Sequence, residues 1–393
     1  MKRRELTFLS VILVVLAIAG FSYAGDKPSL DLKWYGYFKL DGAYDQNLTS
    51  HGNFVIWVQP NSMEKSDHQF NMTINETRFG FTAAGNNYGN VKVNGKLEFD
   101  LYASVTGGTI AENKAMLQLR HAFFSLEKGG LKLVAGQTWD MIAPLNPSTL
   151  NYTALLGCGN IGYRRPQVSL WMTMKPTPKT DFTMAGGVFR TIGNDLTPTI
   201  TLAQGETSEG SDDGTDAAIP SMQALMEVKH NLTSGGHVRL GVSGLYGDLK
   251  AETNQGNYEK YSAWAAVVHM SIAPVAAFGF SGEAFSGSNL GSYYGSILRN
   301  SEIDGLRTAG GWLSTWMQIT KKVQIAAGYG QDNPDDRDYT SGRAKNSCVY
   351  GNLRYTIVPQ ASVGVEFSEW RTYYKNAETA KDFRTQTAFI LNF

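Results

Sequence analysis

From Leu32 the chain alternates apolar and polar residues. Leu32, Trp34, Phe38, Leu40 and Tyr44 share one parity, while Lys33, Lys39, Asp41 and Asp45 share the other. In a strand those two sets face opposite sides. A single such strand would suit a soluble sandwich equally well, so the weight falls on the repetition of the pattern to the last residue. Strands are predicted at 32–46, 70–83, 91–104, 116–127, 131–139, 163–175, 180–192, 221–231, 236–248, 258–271, 274–286, 308–320, 322–331, 346–357, 360–371 and 384–393. Their connections alternate in length. Short turns fall at 85–90, 128–130, 176–179, 232–235, 272–273, 321 and 358–359, and long ones at 47–69, 140–162, 193–220, 287–307, 332–345 and 372–383. About sixteen strands with both termini on the short-turn rim predict an all-β fold, a transmembrane antiparallel β-barrel with short periplasmic turns and long extracellular loops. The third loop, 140–162, is long enough to fold into the lumen.

The N-terminus adds a compartment. Lys2, Arg3 and Arg4 precede an apolar run from Phe8 to Ala19, and Ser22-Tyr23-Ala24 supplies a small–x–small cleavage pattern. The run is shorter than the roughly 20 residues that span a bilayer as a helix. Residues 1–24 are therefore expected to be a signal peptide, 25–31 a short periplasmic segment, and 32–393 one barrel domain. Lys plus Arg and Asp plus Glu number 35 each, so no charge excess points to nucleic acid. The 42 glycines, 19 tyrosines and 19 phenylalanines suit a barrel with aromatic girdles.

Parity assigns the lumen. Phe79 and Phe81 face lipid and leave Glu76 and Arg78 inside; Val91, Val93, Leu97, Phe99 and Leu101 face out and leave Lys92, Lys96, Glu98, Asp100 and Tyr102 inside. Gln118 and Arg120 are the lumen candidates of the fourth strand, Arg165 and Gln167 those of the sixth. A one-residue slip would invert each set, and Arg or Lys facing lipid at the midplane would cost about 2–4 kcal/mol. Arg78, Lys96, Arg120 and Arg165 are thus expected as a basic strip beside the third loop, whose only acid is Asp140. Such a strip would attract anions. The alternative is that Glu76, Glu98 and Asp100, on the same wall, simply pair with it. In the first case charge reversal at Arg120 and Arg165 shifts selectivity toward cations.

Other signals are weaker. Secretion would permit a disulfide between Cys158, in the third loop, and Cys348, near the top of the fourteenth strand, although two inert thiols are the simpler reading. Residues 157–162 spell GxGxxG, but a strand follows rather than a helix, so no dinucleotide site is implied. Six scattered histidines show no metal spacing, and no GxSxG nucleophile occurs. No cofactor and no catalysis are expected. The acidic runs 206–216 and 332–338 read as solvated loops, with divalent cations or bridged lipopolysaccharide as the other option. Thr387, Phe389, Leu391 and Phe393 share a parity and end on an aromatic residue, which is similar to the signal bacterial barrels present to their assembly machinery.

Several segments resemble the DcaP-like porins of Gram-negative bacteria: WYGYFKLDGAYD (34–45), NETRFGF (75–81), LQLRHAFFSLE (117–127), VAGQTWDMIAP (134–144) and YRRPQVSL (163–170). The resemblance covers mainly residues 34 to 170; the second half is similar only in its hairpin rhythm. It implies a trimeric, sixteen-stranded outer-membrane diffusion channel with a basic constriction favouring small anions such as dicarboxylates. Some members carry a coiled coil before the barrel, whereas here only 25–31 separates the signal peptide from the first strand. The expected function is passive diffusion of small hydrophilic solutes across the outer membrane. A saturable, substrate-specific channel is the first alternative and a plugged barrel acting as adhesin or scaffold the second.

Overall fold

The computed structural model describes residues 29–60, 67–103, 115–192, 213–254, 257–299 and 305–393. The signal-peptide segment and most of the acidic run 206–216 lie outside them. Nineteen strands are found among the described residues: β1 (Leu30–Asp45), β2 (Thr49–His51), β3 (Phe54–Val58), β4 (Gln69–Thr73), β5 (Arg78–Gly85), β6 (Lys92–Asp100), β7 (Gln118–Lys128), β8 (Leu131–Trp139), β9 (Arg164–Thr177), β10 (Thr180–Phe189), β11 (Ser221–Asn231), β12 (Gly235–Asn254), β13 (Asn257–Val275), β14 (Phe278–Ser288), β15 (Arg307–Gln318), β16 (Val323–Pro334), β17 (Gly342–Val358), β18 (Ala361–Lys375) and β19 (Ala380–Asn392).

β2 and β3 form a small hairpin inside the first long loop; the other strands make one antiparallel sheet in which β19 pairs back onto β1. β4 pairs with Asp41–Asp45 of β1 and β5 with Leu30–Tyr37, so together they make one stave of a closed 16-strand barrel. The break between them is a turn, Thr77 N–H donating to the Ile74 carbonyl at 2.8 Å, and it carries Glu76.

Hydrophobic residues point outward, as lipid requires. Trp34, Phe38, Phe70, Phe124, Val242, Val268, Phe367 and Phe389 are exposed, whereas Lys39, Asp41, Asp45, Glu98 and Asp100 are buried inside. Closure is made at Gly36. Its N–H and C=O each exchange a 3.1 Å hydrogen bond with Phe393, whose ring lies 5.2 Å from that of Phe38. A Cβ at Gly36 would come within 2.3 Å of the Arg78 carbonyl and 2.7 Å of the Phe393 ring, so only glycine lets β5, β1 and the C-terminus converge.

Several boundaries differ from the sequence expectation, two of them at hairpins of the second half. The turn expected at 272–273 lies at 276–277, because Pro274, which has no N–H to donate, is carried at an irregularity in register between Ile272 and Val275. The hairpin of β12 and β13 also continues as a ladder to Asn254 and Asn257, beyond the expected end at 248.

The bore is not evenly open. Ile142 and Ile161 of the third loop and Leu290 and Tyr293 of the sixth loop, 287–307, join inward residues of β12–β14 (Leu245, Tyr261, Val267, Phe285) in one apolar cluster. Val55 and Val58 of the first loop join Leu155, Cys158, Trp312, Cys348, Tyr350 and Trp370 in a second. Loops therefore fill the β12–β18 side of the barrel, and polar space is left along β1 and β5–β9.

Candidate functional site

The third loop crosses the interior and is tied to the far wall through its backbone. Leu145 N–H donates to Glu283 at 2.8 Å, Leu150 N–H to Glu366 at 2.7 Å, and the Thr149 hydroxyl to the same Glu366 carboxylate at 2.7 and 2.9 Å. Carbonyls are held too: Ser148 by Asn352 (2.8 Å), Thr149 by Arg354 (2.7 Å), Leu150 by Lys39 (3.0 Å) and Gln386 (3.1 Å). Inward-facing carboxylates so placed satisfy loop N–H groups that would otherwise be buried without partners. The GxGxxG stretch is the far bend of this loop. Gly157, Gly159 and Gly162 all have positive φ, and a Cβ on Gly159 would lie 2.1 Å from the Gly311 carbonyl.

Two chambers flank the loop. The outer one, ≈ 500 Å³, lies between Tyr37, Arg78, Lys96 and Arg120 on the wall and Tyr152 and Thr153 on the loop. His51, Phe54 and Ile56 of the first loop and Tyr294 of the sixth also reach it. The inner one, ≈ 380 Å³, lies beneath the loop and is lined by Phe123, Lys132, Val134, Gln167 and Trp171.

Glu98 is the hub of the outer wall. It accepts from Arg120 Nε at 2.8 Å and from the Tyr35 hydroxyl at 2.7 Å, with Lys96 Nζ at 3.1 Å and Arg78 Nε at 3.6 Å. Arg120 also reaches Asp100 at 2.6 Å, and Tyr152 donates to the same carboxylate at 2.9 Å. Burial, then the nearby Asp100 charge, pushes the Tyr152 hydroxyl above its usual range and keeps it a neutral donor. Arg120 enters this network through a bulge. β6 and β7 shift register between Glu98 and Phe99, so that Glu98 faces His121 and Phe99 faces Leu119, with Arg120 the extra residue.

That bulge has a second consequence. Gln118 and Arg120 face inward above it and His121, Phe123 and Ser125 below it, so alternation extended from the top of β7 misassigns the strand's lower half. His121, buried and within hydrogen-bonding distance of Thr138 at 3.0 Å, was not among the sequence candidates.

The expected basic strip is only partly a strip. Arg165 is fully buried, 2.8 Å from Asp140, with its guanidinium 3.9 Å from the Tyr293 ring centroid. Asp140 also accepts from Gln223 at 2.6 Å and from the Tyr163 N–H at 2.9 Å. The one acid of the loop, expected to leave the strip uncancelled, therefore neutralises Arg165 from the strand end. Lys92 faces Glu127 in register at the short-turn rim and is not at the constriction. Gln167 donates to the Trp139 carbonyl at 2.9 Å in the inner chamber. Arg78 and Lys96 keep 24 % and 28 % of their side chains exposed, against 15 % for Glu76 and 4 % for Glu98.

A further arginine was missed. Arg164 pairs in register with Trp139, a position alternation gives to lipid, yet at the strand ends both turn into the chamber. Its guanidinium lies 4.6 Å from the Tyr163 ring centroid and 5.0 Å from that of Trp139, and Nη2 donates to the Tyr163 hydroxyl at 2.7 Å. Nε and Nη1 are buried with no hydrogen-bond partner among the described residues, in a residue 4 % exposed.

Cys158 and Cys348 are free, buried thiols, so the disulfide is absent; the Cys158 thiol donates instead to the Gly330 carbonyl at 3.5 Å. Among the described residues no group of three or more His, Cys, Asp or Glu side chains is placed to hold a metal. Two carboxylates of the 335–338 bend are tied to arginines: Asp335 to Arg337 at 2.6 Å and Asp338 to Arg307 at 2.6 Å. Those hydrogen bonds from Arg337 hold Asp335 below the usual carboxylate range.

The family described as Gram-negative porin matches residues 10–373. No curated protein matches the chain. Among solved structures, the outer membrane channel DcaP of Acinetobacter baumannii is 19% identical with TM-score 0.68, over 94% of this chain and 100% of that one. The anion-selective porin from Comamonas acidovorans is 11% identical with TM-score 0.56, over 93% and 100%. The trimer form of OmpT from Vibrio cholerae is 12% identical with TM-score 0.54, over 94% and 100%.

Proposed function

The chain belongs to the Gram-negative porin family, outer-membrane β-barrel channels for passive diffusion, and we propose that this member prefers small organic anions. The observation that carries the preference is Arg164, a buried guanidinium that lines the outer chamber and whose Nε and Nη1 have no partner among the described residues. An unpaired buried charge is costly, and a passing carboxylate would supply the missing acceptors. Arg78 and Lys96 support it, because they are more exposed than the acids beside them and set the sign of the field a solute meets. The similarity to an anion-selective porin agrees with this reading.

Pore-lining roles go to Arg78, Lys96, Glu98, Arg120 and Arg164 in the outer chamber, with Asp100 buried behind them as a partner of Arg120, and to Gln167 in the inner chamber, with Asp140 and Arg165 as supports of the loop. A trimer is proposed from the family resemblance and the trimer form of a similar barrel. Contact with the assembly machinery through Phe393, with lipopolysaccharide outside, and the absence of catalysis belong to the same proposal. The test is Arg164→Gln in a planar bilayer. Block by an added carboxylate should weaken about ten-fold, the loss of one charge-assisted hydrogen-bond set, and the reversal potential in a salt gradient should move toward zero. Unchanged block and reversal potential would remove the anion preference while leaving the channel.

A further inference from the structure

Three residues line both chambers: Trp139 at the top of β8, and Asn146 and Leu156 of the third loop. None is charged. The charged groups of the route all lie to one side or the other of them: Glu76, Arg78, Lys96, Glu98, Arg120 and Arg164 line only the outer chamber, Lys132 and Asp140 only the inner one. Trp139 is packed on several sides. Arg164 lies 5.0 Å and Arg120 5.8 Å from its ring centroid, and His121 and Tyr163 stand edge-on to it at 6.2 and 6.3 Å. The loop is equally fixed. Leu145 and Ser148, on either side of Asn146, donate their N–H groups to Glu283 (2.8 Å) and Ser314 (3.2 Å), and Leu156 N–H donates to the Thr153 carbonyl at 2.9 Å.

We infer that Trp139, Asn146 and Leu156 form an uncharged neck between the chambers, and that this neck, rather than the charged wall, sets the size and hydration limit of the channel. The inference rests on the channel reading above and adds a second stage of selection to it. Outside the neck a solute is sorted by charge. At the neck it passes an indole face and a leucine side chain with one amide to hydrogen-bond, so it must shed water on two sides; apolar constrictions impede strongly hydrated ions by dewetting. Slender or flat organic solutes with an apolar edge and a single charged end lose least hydration there and are the class favoured. Compact, fully hydrated inorganic ions and branched polyols are disfavoured.

The experiment uses the refolded chain 25–393 in a planar bilayer, comparing wild type, Trp139→Ala, Trp139→Phe and Leu156→Ala. Trp139→Ala and Leu156→Ala should each raise single-channel conductance in potassium chloride, roughly two-fold or more for the larger deletion. In Leu156→Ala the reversal potential should stay at its wild-type value, since no charge is removed, and Trp139→Phe, which keeps a smaller flat ring, should raise conductance less than Trp139→Ala. A wild type that conducts while both alanine variants keep its conductance would overturn the neck and leave the channel standing. In Leu156→Ala, conductance that rises together with a loss of ion preference would also overturn it, by showing that charge and size are selected at one place. A wild type with no conductance would instead overturn the channel reading itself. The heat-dependent gel shift of a folded barrel confirms that each variant compared is folded.

Discussion

Arg120 Nη1 lies 2.6 Å from Asp100 Oδ2, and the same guanidinium holds Glu98 through Nε at 2.8 Å. One arginine, inserted by a bulge, thus ties together two buried acids of the neighbouring strand. Its charge is committed to the wall. Arg120→Gln should destabilise the barrel by about 3–5 kcal/mol, the usual cost of removing one partner from a buried ion pair. Urea unfolding followed by tryptophan fluorescence measures this, and a midpoint unchanged from wild type would show the pair to be dispensable.

Arg165 and Asp140 offer the complementary case, since they are buried together at 2.8 Å. The double variant Arg165→Gln with Asp140→Asn removes equal and opposite charges, one at the edge of the inner chamber and one behind it. Its reversal potential should match that of wild type. A shift toward cations would mean that solutes feel Arg165 directly, as the sequence alone suggested.

Glu366 accepts from the Thr149 hydroxyl, the Leu150 N–H and Asn352 Nδ2. Glu366→Ala leaves those donors unsatisfied and frees the loop's middle from the far wall. Single-channel traces should become noisier, with brief closures absent from wild type. Quiet traces would place the anchorage in the apolar clusters instead.

Burial pushes the Cys158 thiol well above its usual value, and Cys348 is equally enclosed. Neither should react with a maleimide in folded protein, and both should react after unfolding without reductant. Labelling of the native barrel would contradict the packing, and protection that persists after unfolding would reveal a disulfide.

Gly36 stands where β5, β1 and the terminal Phe393 meet. Gly36→Val should sharply reduce the yield of the heat-shifting, folded form, because the Arg78 carbonyl is backbone and cannot give way. Wild-type yield would show that the seam can open.

The barrel was legible because lipid outside and water inside impose a period of two on almost every strand, from Leu32 to Phe393. The outward faces of β1, β5 and β6 were assigned correctly for that reason. Three features escaped because they depend on partners distant in sequence. The bulge at Arg120 reverses parity within one strand and leaves no local mark. Arg164 and Trp139 turn inward only because β8 and β9 end beside the third loop. The first loop's Val55 and Val58 pack against Cys158 and Trp370, a contact that composition does not announce. Which arginines are neutralised follows from such cross-strand neighbours, so the strip read along the sequence mixes committed charges with available ones.

The most direct measurement is single-channel recording of the refolded wild-type chain, residues 25–393, in a planar bilayer under a potassium chloride gradient. Discrete conductance steps with a reversal potential on the anion side, and block by an added organic carboxylate, are the predicted result. A folded barrel that passes no current, or one that prefers cations, would contradict the account.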